Sequence, residues 1–316
     1  MKTARQLLQR AAGLVLFVTM SVLAACGKPT SAPGLTGNVS TVREITDGAG
    51  RTVKLAAPAQ RIVSLSPAAT DILVAEDASA QIVGATRFCN IPTGDEKRVV
   101  RVGGVMDPDY ERILTLKPDL VIVPWLADKT LQEKLVLLEL PVLVLHPEGL
   151  PGVIDDIRMV GKVCGHEVEG EAKAKTMEVV RTTVLSRWKD VPLEKRPRVL
   201  IYLDDISPAP GSYVDDLLTV AGGRNVLPKG NKAWLNVSAE EALQLAPDLI
   251  IEIPSSAHAA NINAKPVTTN STTIVQLVDG AAFYHPGPDL GLALWALARA
   301  IAPARFPEAA PPPLLP

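Results

Sequence analysis

The spacing of hydrophobic positions along this chain alternates between every three or four residues and continuous runs. This alternation predicts where its helices and strands lie. Residues 109–123 read DYERILTLKPDLVIV, where apolar residues first recur every three or four positions and then run together. This pattern predicts an amphipathic helix that ends at a proline and leads into a buried strand. Residues 238–252, which read SAEEALQLAPDLIIE, repeat the pattern 129 positions later.

A second pair of related segments precedes the two copies. The runs RIVSL from Arg61 and RVLIYL from Arg198 are rich in apolar and β-branched residues and predict strands. Helices are predicted after them, near residues 68–76 and 212–221. Strand and helix therefore alternate in each copy, which is typical of parallel sheets flanked by helices.

The duplication predicts an α/β fold of two Rossmann-like lobes, each with a central parallel sheet. The predicted N-terminal lobe spans residues 42–150 and the C-terminal lobe residues 197–305. A ligand cleft is expected between them, where the loops after the strands converge. Residues 151–196 predict a long linker helix, whose apolar pattern Gly165 interrupts. Two ordinary helices within one large domain are the alternative.

The two ends of the chain differ in composition from its body. Residues 1–25 combine basic residues, a short apolar run and small residues, which is typical of a secretory signal peptide. The LAAC sequence that ends at Cys26 resembles a bacterial lipobox and implies acylation of its sulfur; an ordinary signal with an incidental cysteine is the alternative. Residues 26–41 predict a flexible tether, and the Pro-rich residues 306–316 predict an extended or disordered tail.

Charge and cysteine content narrow the possible partners. The chain has a formal charge of −2 and no cluster of basic residues, which argues against nucleic acid as a partner, and we expect a monomer. Beyond Cys26, the remaining cysteines are Cys89 and Cys164. An oxidising compartment would permit a disulfide between them, but two buried free thiols fit the sequence equally well.

Several segments, in order, resemble the substrate-binding proteins of bacterial ABC importers, of the helix-linked type that carries iron-siderophores, haem and cobalamin. The first half contributes ITDGAGRTVKLAAPAQRIVSLSPAATDIL, VGATRFCNIP and VGGVMDPDYERILTLKPDLVIV, and the second contributes GSYVDDLLTVAGGRNVLP, AWLNVSAEEALQLAPDLIIE and FYHPGPDL. The cobalamin-binding members are nearest in pattern. The resemblance implies a lipid-anchored protein outside the cytoplasm, which delivers a macrocyclic ligand to a membrane permease dimer with its ATPase subunits.

In the resembled family, a glutamate near the start of the repeated helix on each lobe meets arginines of the permease. Glu111 and Glu240 occupy these positions here, and the resemblance implies that they dock the protein. Two exposed carboxylates one lobe apart would guide encounter and orientation. The alternative is that each carboxylate only complements the positive end of its helix dipole.

Ligand contacts are expected on loops at the strand ends, because these loops converge on the cleft. The candidates are Ser66, Phe88, Cys89, Trp125, Trp234, Tyr284 and His285. The resemblance implies aromatic contacts with the ligand at Phe88 and Trp234. His285 could ligate haem iron, contact a corrinoid side chain, or be an exposed loop histidine.

Three transported ligands stay open: cobalamin first, a ferric siderophore second and haem third. Phe88 lacks the hydroxyl of a haem-ligating tyrosine. No resident cofactor and no bare metal site are expected, because the histidines show no ligand-like spacing. An extracellular enzyme on a two-lobed α/β scaffold is a remote alternative, since the chain has no G-x-S-x-G elbow, P-loop or H-E-x-x-H helix.

Overall fold

The computed structural model describes residues 43–254, 267–269, 272–277 and 280–311, and these residues belong to one compact unit. The predicted signal peptide, Cys26 and the predicted tether lie outside the described residues. None of the described helices combines the length and the apolar character needed to cross a membrane.

The first half of the chain folds around a parallel sheet. Its elements are β1 (Arg43–Thr46), β2 (Thr52–Leu55), β3 (Ile62–Ser64), α1 (Pro67–Ala75), β4 (Ile82–Ala85), β5 (Val100–Arg101), α2 (Tyr110–Thr115), β6 (Leu120–Pro124), α3 (Lys129–Leu137) and β7 (Val142–Leu145). An antiparallel β1-β2 hairpin precedes a five-stranded sheet in the order β5-β4-β3-β6-β7, in which all pairs are parallel. We call this half the N-terminal lobe.

Two helices, α4 (Gly149–Cys164) and α5 (Glu167–Trp188), connect the halves. The predicted linker is therefore a helix pair whose second member is 22 residues long. Gly165 ends α4 in the left-handed conformation, with φ +81°, which confirms the predicted interruption. The two helices approach closely at Gly161 and Gly170, where a Cβ on either glycine would lie 3.2 Å from the other's Cα.

The second half, which we call the C-terminal lobe, is built on another five-stranded sheet. Its elements are β8 (Arg198–Leu203), β9 (Ser207–Pro208), α6 (Tyr213–Ala221), β10 (Arg224–Asn225), β11 (Trp234–Leu235), α7 (Ala239–Gln244), β12 (Leu249–Ile253), β13 (Val267–Thr269), β14 (Thr272–Gln276), α8 (Ala281–Tyr284) and α9 (Leu290–Ile301). The sheet order is β10-β8-β12-β14-β13, parallel except for β13, which pairs antiparallel with β14. The α/β fold with two parallel central sheets is as predicted.

One hydrophobic core joins both lobes. Alternate residues of β6 and β8, such as Ile122 and Ile201, face it from the two sheets. Helices α4 and α5 fill the space between with Val160, Val184 and their apolar neighbours. The opposite sheet faces bury separate, smaller clusters. Both faces of the strands are thus covered, which explains the near-continuous apolar runs in the sequence.

A hydrogen bond also ties the start of α4 to the C-terminal lobe. Asp216, in the first turn of α6, accepts the backbone N–H of Leu150 at 2.7 Å. Gly149 precedes this contact with φ +64°, and a Cβ there would lie 2.9 Å from the Asp216 carboxylate. Glycine at 149 therefore permits both the turn and the close approach.

The described start of the Pro-rich tail is packed rather than free. Phe306 is fully buried and meets Trp295 of α9 edge-on, with ring centroids 5.3 Å apart. Glu308 accepts hydrogen bonds from Arg187 of α5, the shorter at 2.8 Å. This part has no helix or strand, and a buried aromatic ring fastens it to the helices, so it is not the disordered segment that the sequence allowed. Residues 312–316 lie outside the described residues.

A buried carboxyl lies beside the crossing of the two linker helices. Glu76, the C-cap of α1, is fully buried, and neither of its oxygens has a hydrogen-bond partner among the described residues. Burial, and secondarily the charge of Glu169, raise the pKa of Glu76 to about 9, against a smaller opposing effect of Lys173. The side chain is therefore held protonated at neutral pH.

Replacing Glu76 by glutamine should make the free energy of unfolding less dependent on pH. The folded-state pKa of about 9 exceeds the ordinary 4.5, so folding favours the protonated carboxyl. This contribution is complete below the unfolded pKa and is lost as pH rises towards 9, by at most about 1.4 kcal/mol per pH unit. As pH rises from about 5 to about 8, the wild type should therefore lose more free energy of unfolding than E76Q does. Urea denaturation at each pH measures this difference.

The exposed Glu194→Gln change is the matched control and should keep the wild-type pH slope. Equal slopes for E76Q and the wild type would contradict the prediction.

Replacing Asp216 by alanine should lower the free energy of unfolding by about 1–3 kcal/mol, because the Leu150 N–H loses a charged acceptor. Asp216→Asn keeps an acceptor oxygen in the same place and should lose less. Thermal unfolding of the two variants checks the order. An alanine variant as stable as the asparagine variant would show that the hydrogen bond does not hold the start of α4.

Candidate functional site

A cleft with a cavity volume of about 1060 Å³ opens where the carboxyl ends of the two sheets meet. Loops after β3, β4, β6 and β7 line it from the N-terminal lobe, and residues around β8, α6, β11 and α8 line it from the C-terminal lobe. All the main strands of a parallel sheet end at one edge, so each lobe presents its loops to the same space. The volume lies at the top of the range of about 300–1,000 Å³ for drug-sized ligands.

The N-terminal wall presents exposed apolar surface to the cleft. Phe88 follows β4 and is 54% exposed, and Trp125 follows β6 and is 46% exposed. The Arg87 guanidinium lies 4.9 Å from the Phe88 ring centroid and pairs with Asp107 at 3.0 Å. Hydrogen bonds from Arg87 lower the pKa of the Asp107 carboxyl. This ion pair restrains the loop that carries Phe88, and it engages the guanidinium of Arg87.

The C-terminal wall is aromatic and closely packed. Trp234 on β11 lies edge-on to Tyr213, with ring centroids 5.8 Å apart. The Tyr213 hydroxyl donates to the carbonyl of Phe283, and the Tyr284 hydroxyl donates to the carbonyl of Ile253 at 3.1 Å. Desolvation raises the pKa of both phenols, which therefore stay neutral and fixed. These residues offer flat rings and neutral hydroxyls to the cleft.

Carboxylates and imidazoles supply most of the polar chemistry of the cleft. Asp156 on α4 is buried and accepts the backbone N–H of His146 at 3.4 Å. Burial raises its pKa to about 7, so the carboxyl changes charge near neutrality. The His146 ring lies 5.3 Å from that of Trp125. Among the described residues that line the cleft, none is arginine or lysine.

His285 joins the two lobes at the edge of the cleft. It follows α8, and its Nδ1 lies 3.5 Å from an oxygen of Asp71 on α1. Both side chains are about one-third exposed. The contact brings together residues more than two hundred positions apart in the sequence.

Two predicted ligand contacts differ from the rest. Ser66 borders the cleft but is buried, and its hydroxyl accepts the N–H of Ala69 to cap α1. Cys89 was expected on the cleft, and the structure places it elsewhere: it is buried, with Sγ 3.1 Å from the Thr86 hydroxyl. The loop turns after Phe88, so adjacent residues point in different directions. Cys89 and Cys164 are both free thiols.

Glu111 and Glu240 occupy equivalent, exposed positions outside the cleft wall. Each is in the first turn of a six-residue helix, α2 or α7, that leads into a central strand. Glu241, not Glu240, completes the capping box with Ser238. Within the described part of the chain, neither Glu111 nor Glu240 forms an ion pair with another residue.

Sequence reasoning did not select three residues that shape the cleft. Tyr213, Asp215 and Asp216 begin α6 and line the cavity. They occupy the same place after β8 that Ser66 and Pro67 occupy after β3, so comparing the two copies could have found them. Asp156 carried no comparable signal, because it lies within an amphipathic helix. No group of three His, Cys, Asp or Glu side chains in the described ranges is placed to hold a metal ion.

Known proteins share this sequence and architecture. The sequence pattern described as "Periplasmic binding protein" matches residues 62–273. The uncharacterized ABC transporter substrate-binding lipoprotein YvrC of Bacillus subtilis is 25% identical over 250 residues, which cover 75% of this chain and 78% of YvrC.

Solved structures show the same two-lobed fold. The molybdate periplasmic binding protein MolA of Haemophilus influenzae matches with a TM-score of 0.68 and 23% identity, covering 84% of this chain and 93% of that one. The periplasmic vitamin B12 binding protein BtuF of Vibrio cholerae matches with a TM-score of 0.64 and 22% identity, covering 78% and 98%. Two lobes, a cleft between them and a family match over two thirds of the chain lead to one conclusion: this chain belongs to the periplasmic binding protein family, the extracytoplasmic substrate-binding proteins that work with the permease and ATPase of ABC importers.

Proposed function

We propose that this protein captures a corrinoid such as cobalamin outside the cytoplasm and delivers it to its importer. The size of the cleft, its aromatic walls and the lack of arginine and lysine among its described lining residues support this ligand class. Phe88 and Trp125 on one side and Trp234 on the other offer flat apolar surfaces to a macrocycle. Aromatic rings give large contact area at low entropy cost.

The absence of arginine and lysine from the described cleft lining is the observation that carries the proposal. An anionic ligand taken out of water needs cations or many N–H donors to compensate its charge. This cleft instead presents carboxyl groups, from Glu148, Asp156, Asp215 and Asp216. The amide groups around a corrin ring donate hydrogen bonds and suit such acceptors. An anionic ferric siderophore or an oxyanion fits the lining less well.

Haem is the second candidate, and two imidazoles favour it. His146 and His285 both line the cleft, one from each lobe, and histidine is a common axial ligand of haem iron. The propionates of haem, however, would face carboxyl groups without a described lysine or arginine nearby. The tyrosine hydroxyls of the cleft are engaged with backbone carbonyls. The corrinoid is therefore the better match.

Glu111 and Glu240 are proposed to dock the protein on its permease. A helix that precedes a parallel strand begins at the carboxyl edge of the sheet, so each glutamate belongs to the edge that borders the cleft. Both carboxylates are exposed. Exposed charges of this kind steer encounter and fix orientation. We also propose that residues 1–25 are removed and that Cys26 carries the lipid anchor, as the lipobox-like sequence predicts.

Cyanocobalamin should bind the purified protein with a Kd of about one micromolar or below, whereas haemin and a ferric siderophore should bind more weakly. Isothermal titration with each ligand gives the comparison. Phe88→Ala and Trp234→Ala should each weaken cyanocobalamin binding by about tenfold, since each removes an aromatic contact. Leu137→Ala, on the exposed surface of α3, is the matched control and should not change the Kd. No binding of cyanocobalamin at micromolar concentrations would refute the corrinoid proposal.

Charge reversal at the proposed docking positions should impair transport and leave ligand binding intact. Glu111→Lys and Glu240→Lys should each lower ligand uptake, or ligand-stimulated ATPase activity of the reconstituted importer, by about tenfold. Glu194→Lys reverses an exposed charge elsewhere and should have little effect. Wild-type transport by the double variant E111K/E240K would rule out docking through these residues.

A further inference from the structure

We propose that the Nε2 atom of His285 coordinates the metal at the centre of the captured macrocycle. The inference rests on the proposed function and goes beyond it, because binding a corrinoid by its ring faces and amide groups does not require a protein ligand to the metal.

The setting of His285 resembles that of a metal-binding histidine. Its Nδ1 lies 3.5 Å from the Asp71 carboxylate, which comes from the other lobe. A carboxylate beside one ring nitrogen favours a proton on that nitrogen, which leaves the lone pair of the other nitrogen available. Within the described part of the chain, no hydrogen bond engages Nε2, and the residue lines the cleft with 28% of its side chain exposed.

The hydroxyls of Tyr213, Tyr284 and Ser66 in the cleft are committed elsewhere. Tyr213 and Tyr284 donate their hydroxyls to backbone carbonyls, and burial disfavours the phenolate forms that bind metals. Ser66 caps α1. These contacts leave the two histidines, His146 and His285, as nitrogen donors on the described cleft wall.

His285 is the better placed of the two histidines. Nδ1 of His146 lies 3.6 Å from Glu148, but that carboxylate is 82% exposed and orients the ring weakly through solvent. The His146 ring also packs against Trp125, which occupies one of its sides. Asp71 is only 31% exposed and is held on a helix, so the orientation of His285 is better fixed.

The step is a ligand exchange without redox chemistry. In an aquo-corrinoid, the cobalt–oxygen bond to water breaks, water leaves, and the imidazole Nε2 lone pair forms a cobalt–nitrogen bond. The oxidation state of cobalt does not change. The Nδ1 proton stays on the ring, facing Asp71.

Electron paramagnetic resonance of bound cob(II)inamide tests the assignment. Cobinamide lacks the nucleotide base, so its cobalt has no axial nitrogen of its own. Coordination by one imidazole should split the cobalt lines into triplets in the wild type. The splitting should disappear in His285→Ala and persist in His146→Ala. Affinity for cob(II)inamide should fall by at least about tenfold in His285→Ala.

Cyanocobalamin separates this inference from the proposed function, because cyanide and the nucleotide base fill both axial positions of its cobalt. His285→Ala should lose much less affinity for cyanocobalamin than for cob(II)inamide, and its remaining binding of cyanocobalamin shows that the variant is folded. Cyanocobalamin binding without triplet splitting in the wild type would overturn the role of His285 and leave the proposed function standing. Splitting that persists in His285→Ala would also overturn the assignment. Failure of the wild type to bind any corrinoid would overturn both.

Discussion

The cleft depends on one shared hydrophobic core that fixes the two lobes to the same pair of helices. Residues of both sheets pack on α4 and α5, so the lobes cannot separate without exposing that core to water. The close approach of Gly161 and Gly170 holds the two helices together near the turn between them, and the bond from Asp216 to Leu150 holds the start of α4. The width of the cleft is therefore built into the fold, and only modest closure around a ligand is compatible with it.

The two lobes contribute different surfaces to the cleft. The N-terminal lobe contributes exposed rings on loops, Phe88 and Trp125, whereas the C-terminal lobe contributes a packed wall of Trp234 and Tyr213 with fixed hydroxyls. Carboxyl groups and imidazoles form the polar part of the described lining. No described lining residue carries a permanent positive charge. Under the proposed function, shape, ring contact and hydrogen-bond acceptance would therefore select the ligand. Family membership alone does not fix that selectivity, since relatives with this fold bind chemically different ligands.

The buried acids show how the same core that supports the cleft also constrains stability. Glu76 lies beside the helix crossing with a pKa of about 9, and Asp156 lies on the cleft with a pKa of about 7. Both are raised mainly by burial, so both favour folding more at low pH than at high pH. Asp156 borders the space that a ligand would fill, whereas Glu76 is enclosed by helices.

Local sequence signals determined the elements, and contacts between distant residues determined the site. Period, prolines and caps identified the repeated helix–strand units, the break at Gly165 and the aromatic loop positions, because these depend on neighbours along the chain. The burial of Cys89 and Phe306, the entry of Asp156 into the cleft, and the pairing of His285 with Asp71 were decided by tertiary structure. Each of those outcomes depends on which residues far apart in sequence meet in space, and no local pattern of hydrophobic and polar positions encodes that.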